Sequence, residues 1–196
     1  TDLEVVLADS DRSGSDLVNF VTVAAGDRIC LQSVPSNSPT TQAIWWGMSF
    51  VSDTADEYMI GGNSGTDNLA TSTKYNYLHS SDQAFTTTQA LQVSRAQEPM
   101  ELSNLYVQLI TAPGAGDTRT LTVMVNDSPT DLAATVSDLD TTGNNTSDKV
   151  VLQTGDKLAI RCTHTGSPSY SPVEWGVMVG PGPVISTFTA DALLKG

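Results

Sequence analysis

Gly155-Asp-Lys-Leu-Ala-Ile-Arg-Cys-Thr163 and, 129 residues earlier, Gly26-Asp-Arg-Ile-Cys-Leu-Gln-Ser-Val34 are two versions of one structural unit. Each opens on Gly-Asp, a tight-turn signal. Each continues with apolar side chains at every second position: Leu158, Ile160 and Cys162 in one, Ile29 and Leu31 in the other. A period of two puts those side chains on one face of a β-strand. Outward from this strand the match holds without a gap, residues 1–50 against 130–179, with 13 identities in 50. Among them are Thr1-Asp-Leu3 with Thr130-Asp-Leu132, Ser38-Pro39 with Ser167-Pro168, and Trp46-Gly47 with Trp175-Gly176. An internal repeat therefore sets the organisation of the chain.

Short alternating segments separated by Gly, Pro, Asn and Asp dominate the rest. Strands are predicted over 21–23, 28–34, 43–50, 105–110, 120–125, 150–152, 157–163 and 173–179. The segment 87–95 is the best helical candidate, but its Thr and Val content favours a strand. The expected fold is all-β: two jelly-roll-like antiparallel β-sandwich units, the first incomplete. Residues 1–72 read as a partial sandwich, the second half of the repeat plus a connection. Residues 73–182 read as a complete repeat and 183–196 as a tail. The sequence shows neither a signal peptide nor an initiator Met, so the expectation is a processed or truncated start, and the repeat favours a fragment. The missing strands of the first copy are expected from upstream polypeptide or a neighbouring subunit.

Charged residues make up only 16% of the chain, against the usual quarter, and the formal charge is −13. Nine scattered Lys and Arg residues cannot track a phosphate backbone, which argues against nucleic acid as a partner. No apolar run approaches the ~20 residues of a membrane span. A polar, Thr- and Ser-rich β-protein suits a virion surface or an extracellular setting. Cys30 aligns with Ala159 and Cys162 with Ser33, and the two cysteines fall on opposite strand faces. They read as free thiols, with Cys162 a small core residue.

Few residues carry recognisable chemistry. Asp9-Ser-Asp11-Arg-Ser13-Gly14 recurs as Asp138-Leu-Asp140-Thr-Thr142-Gly143, a D-x-D-x-[S/T]-G spacing that resembles calcium loops. Asp16, or Asn145 and Asp148, stand ready to assist, but Phe20 and Lys149 occupy the place of the bidentate Glu. An Asx turn between strands is the plainer reading. Trp46 and Trp175 alternate inward as core anchors, whereas Trp45 aligns with Glu174 and needs a partner surface or ligand. Trp45, Tyr75, Tyr77 and Tyr170 are the candidates for an interface or for stacking on glycan rings. His79 and His164 have no nucleophile or metal-ligand spacing around them, and Asp53 with Asp56-Glu57 are loop carboxylates that only a hydrolase reading would use. No catalytic residue and no cofactor beyond possible Ca²⁺ is expected.

The string Leu102-Ser-Asn-Leu-Tyr-Val-Gln-Leu109, with Ala112-Pro-Gly-Ala-Gly116, Leu121-Thr-Val-Met-Val-Asn126 and Gly155-Asp156, resembles a tandem β-sandwich module of phage virion, tail-fibre or extracellular appendage proteins. The tail Phe188-Thr-Ala-Asp-Ala-Leu-Leu194 is similar to short repeats in such proteins. The resemblance implies a structural, non-enzymatic component acting through assembly with copies of itself or with other virion proteins. Its alternative is a carbohydrate-binding adhesion module.

Overall fold

The pattern Leu102-x-x-Leu105-x-Val107-x-Leu109 breaks strict alternation once, and the backbone answers with a bulge. In a computed structural model, which describes residues 1–9, 11–27, 29–38, 40, 47–69, 71–80 and 82–183, Asn104 takes φ 53°. The ladders to both neighbouring strands slip there, so all four apolar side chains point inward. This strand, β4 (Met100–Leu109), lies in a sheet ordered β1-β9-β4-β7, with β1 (Tyr58–Asn63), β7 (Thr142–Leu152) and β9 (Val173–Pro181). The second sheet runs β2-β8-β5-β6, from β2 (Lys74–Asn76), β5 (Thr118–Val125), β6 (Ser128–Ser137) and β8 (Lys157–Thr165). The two-residue β3 (Ser94–Arg95) pairs with β8, and a single 3-10 turn spans Gln89–Leu91. Segment 87–95, expected as a strand, is thus strand only at 94–95 and a 3-10 turn at 89–91.

The described fold is all-β. β1 pairs with β9, β2 with β8, β4 with β7 and β5 with β6, all antiparallel. The chain from 58 to 181 is therefore one long hairpin rolled into two sheets, which is jelly-roll topology. Its tip is the two-residue turn Asn126-Asp127, both with positive φ, 49° and 67°, the geometry that closes a tight hairpin. Val51 to Thr73, expected as a connection, supplies β1, and β6 and most of β7 are strands that alternation alone did not single out. In β6 the small Ala133 and Ala134 blur the alternation, and in β7 the residues before Val150 are polar or Gly.

The core is apolar and continuous. Leu121, Val123, Leu132, Val136, Ile160, Val173 and Trp175 are buried with the β4 leucines. Trp175 donates Nε1–H to the Leu78 carbonyl at 2.8 Å and meets Phe85 edge-on at 5.6 Å. Gly62 faces it across the ladder, where a Cβ would sit 2.4 Å from the indole. Cys30 and Cys162 are free, Cys162 buried and Cys30 exposed. Burial pushes the Cys162 thiol up to about 11, and nearby Arg119 only partly offsets it.

Arg119 occupies an inward position of β5 and is fully buried. Its Nη2 donates to the carbonyls of Leu69 and Ser169 at 2.8 Å and of Pro168 at 3.4 Å. One guanidinium thus latches the β1–β2 and β8–β9 connections over one end of the core. Lost packing predicts that Trp175→Ala lowers unfolding free energy by about 3–5 kcal/mol. Arg119→Ala, which strands three carbonyls, costs about 3 kcal/mol or more. Urea unfolding followed by near-UV circular dichroism checks both, and a loss under about 1 kcal/mol in either would contradict this packing.

Candidate assembly surface

Residues 1–46 form a unit of their own, and 47–196 a second. Strands were predicted over 21–23, 28–34 and 43–50. The described residues there, and throughout 1–57, form no ladder. The jelly roll gives the reason. Residues 130–179, which match 1–50, contribute the returning arm, β6 to β9. In the sheets β5 separates β8 from β6, and β4 separates β9 from β7. Returning-arm strands are never one another's neighbours in a sheet. A copy of that arm has nothing in itself to pair with.

Local geometry is nevertheless repeated. Ala24 N–H donates to Asp27 Oδ2, and Gln153 N–H to Asp156 Oδ2, both at 2.8 Å. Gly26 and Gly155 share φ 89° and 91°, and Asp9 and Asp138 share 51° and 55°. Asp16 Oδ1 accepts the Val18 and Asn19 amides at 3.1 and 3.0 Å. At the matching place Asn145 Oδ1 accepts the Ser147 and Asp148 amides at 3.2 and 3.0 Å. Acid and amide have changed places: Asn19 Nδ2 donates to Asp16 Oδ2, and Asn145 Nδ2 to Asp148 Oδ2. Asp16 also accepts Glu4 N–H, while Asn145 donates to the carbonyl of Ala133, the match of Glu4. Both side chains bridge to the segment before their turn.

The difference is burial. Val5, Leu7, Ile29 and Leu31 are 50%, 50%, 44% and 58% exposed, whereas their counterparts Ala134, Val136, Leu158 and Ile160 are at most 6% exposed. Val21, 40% exposed, matches Val150. In the second copy these positions face β4 and β5: Leu158 and Ile160 pair with Val125 and Val123, Ala134 with Leu121, and Val150 with Leu102. Core-type side chains of the first copy therefore lie open to solvent, an unusual amount of apolar surface for so small a unit.

Both Asp loops hold turn hydrogen bonds. Asp11 Oδ2 accepts Ala8 N–H at 3.4 Å, and Asp138 Oδ1 accepts Gly116 N–H at 2.7 Å. Asp140 N–H donates to Ser137 O, the counterpart of Asp11 N–H to Ala8 O. Asp9, Ser13, Asp140 and Thr142 are exposed. Among the described residues no group of three or more His, Cys, Asp or Glu gathers as a metal site. Lys149, in the place of the calcium-loop Glu, pairs with Glu101 at 2.7 Å. That contact raises the Lys149 pKa.

Trp45 and Trp46 lie outside the described residues, as do 184–196 of the tail. Tyr170 is exposed, while Tyr75 and Tyr77 are half-buried. A shallow groove of about 480 Å³ is lined by Asn63, Thr66, Asn68, Ile110, Pro172 and Glu174, and none of these tyrosines lines it. Sequence reasoning missed Arg119, though its parity within Thr118-Arg-Thr-Leu-Thr-Val123 marks it as inward. No protein-family model matches the chain, and no curated protein matches it either.

The Asn19 backbone amide, then its side-chain amide and the Val18 and Glu4 amides, hold the Asp16 carboxyl down at about 2. A depressed carboxyl stabilises its turn fully above the ordinary value of 3.8, and that contribution is lost as pH falls through about 2. The Val18 and Asn19 amide shifts should therefore titrate in that acid window. Asp16→Asn, the residue of the second copy, should keep the turn and abolish the titration, whereas Asp16→Ala should lose both. Unchanged amide shifts in Asp16→Ala would contradict the assignment.

Proposed function

We propose that this protein is a non-enzymatic structural component of a virion or extracellular fibre that works by subunit assembly. The observation carrying this reading is the exposed apolar face of residues 5–31, whose counterparts form a buried core 129 residues later. Apolar surface of this kind drives association, since its burial is worth roughly 25 cal/mol per Å². The repeat adds to the case, because tandem β-modules are a way to build length. The acidic charge of −13 keeps the outer surfaces apart and leaves the apolar face as the adhesive part. In this reading the Asp loops are turn clamps. A fall in Tm on chelation would assign them Ca²⁺ instead.

Sedimentation velocity over a wide concentration range, with electron microscopy of the concentrated sample, tests the reading. The expected result is concentration-dependent association, weakened when Leu7 and Leu31 are both changed to Asp. A chain that stays monomeric and binds no apolar dye at any concentration would count against it. Glycan binding lost on Tyr170→Ala would favour the adhesion alternative.

A further inference from the structure

One end of the second unit carries the groove of about 480 Å³, set among the β1–β2, β4–β5 and β8–β9 connections. Its lining is Asn63, Thr66, Asn68, Ile110, Pro172 and Glu174. We infer that this groove is a binding site for one neutral sugar ring of a glycan, a hexopyranose or its N-acetylated form. The inference is separate from the assembly reading and stands whether or not the chain associates.

The walls of the groove are pinned from within. Asn63 Oδ1 accepts the Gly65 and Asp82 amides at 2.8 and 3.0 Å, which fixes the side chain and leaves Nδ2 as the end to offer a ligand. Ser64 Oγ accepts Val173 N–H at 3.0 Å and donates to the Asp67 carbonyl at 2.8 Å. Leu69 N–H donates to Ser171 O, and Ile110 N–H to Pro172 O. None of these bonds uses the side chains of Thr66 and Asn68, which are exposed. Ile110 is 56% exposed, although it directly follows β4. Polar groups that the fold does not use therefore surround an uncovered apolar one on a rigid frame. That is the arrangement of a small-ligand site, and the volume falls within the usual range of about 300–1,000 Å³.

The lining also selects the class of ligand. Among the described residues that form it, Glu174 alone is ionised, on a chain of formal charge −13, so an anion is repelled. A single carboxylate among neutral neighbours does not hold a metal ion, and no metal-type cluster gathers among the described residues. An extended peptide needs a free strand edge. Beside the groove the edge of β1 is taken, because Asn63 N–H donates to Ser80 O and Ser80 N–H to Gly61 O. A neutral, hydroxyl-rich ring meets every requirement. Each hydroxyl both donates and accepts, which matches the amides of Asn63 and Asn68, the Thr66 hydroxyl and the Glu174 carboxylate. The C–H face of the ring covers Ile110 and Pro172 and takes their apolar surface out of water.

The experiment titrates the full, isotope-labelled chain with the methyl glycosides of glucose, galactose, mannose and N-acetylglucosamine, followed by amide chemical shifts. At least one should bind saturably with Kd on the order of 1 mM, the value that ordinary ligand efficiency gives a single ring, and should move the amides of 63–68, 110 and 173–174. Thr66→Ala combined with Asn68→Ala removes two exposed hydrogen-bonding groups and should weaken that binding at least about tenfold at unchanged Tm. Ile110→Asp, at another exposed position, should weaken it as well, while Tyr170→Ala, outside the groove, should leave it unchanged. An acyclic hexitol offers the hydroxyls without the flat C–H face and should bind at least about tenfold more weakly than the glycoside. Saturable binding by none of the four glycosides, shifts centred elsewhere, or binding undiminished in both groove variants would overturn the inference. Loss of binding in Tyr170→Ala, or equal binding of the hexitol, would overturn it too. Self-association is read separately by sedimentation, so either reading can fail without the other.

Discussion

Every strand of the returning arm, β6 to β9, depends on strands of the outgoing arm for its ladder. This constraint belongs to jelly-roll topology. The chain goes out, turns once at Asn126-Asp127 and comes back, and rolling interleaves the two arms so that like never neighbours like. Folding of the second unit therefore requires contacts between residues as far apart as Tyr58 and Val179. Long-range closure of this kind is slow and exposes edges on the way. The tight tip turn and the β5–β6 hairpin are the local elements that offset part of that cost.

The same constraint accounts for the contrast between the two copies. Their turns are alike because turns are local: Gly26 and Gly155 adopt positive φ, and Asp27 and Asp156 hold the same amide, whatever lies across the strand. Their strands differ because a strand is a relationship with a neighbour. Hydrogen bonds along an arm cannot be satisfied within that arm, and apolar alternation buries nothing without a second sheet opposite.

At the closed end of the second unit the interior is not wholly apolar. Arg119 brings a charge into the core and spreads it over the carbonyls of two connections. Burying such a group is costly, and three carbonyl acceptors are what make it tolerable. Ser64 supports the same end: its hydroxyl donates to the Asp67 carbonyl and accepts Val173 N–H. The connections there are held by side-chain chemistry rather than by strand ladders.

Much of this was legible in the residues. Alternation identified β5, β8 and β9 and the inward side chains of β8 and β9, and Gly-Asp pairs located the turns. The repeat revealed two copies, and mismatched cysteines were read as free thiols. Other features were not legible. β1 hid in Tyr58-Met-Ile-Gly-Gly-Asn63, whose glycines look like loop but make room for Trp175. The bulge at Asn104 and the latch of Arg119 depend on partners distant in sequence. The sequence by itself determined local conformation and face, because turn residues and period-two alternation act through short-range sterics. Only the tertiary structure decided which strands pair and which apolar faces are covered, because pairing is settled by non-local hydrogen bonds and burial that no single segment contains.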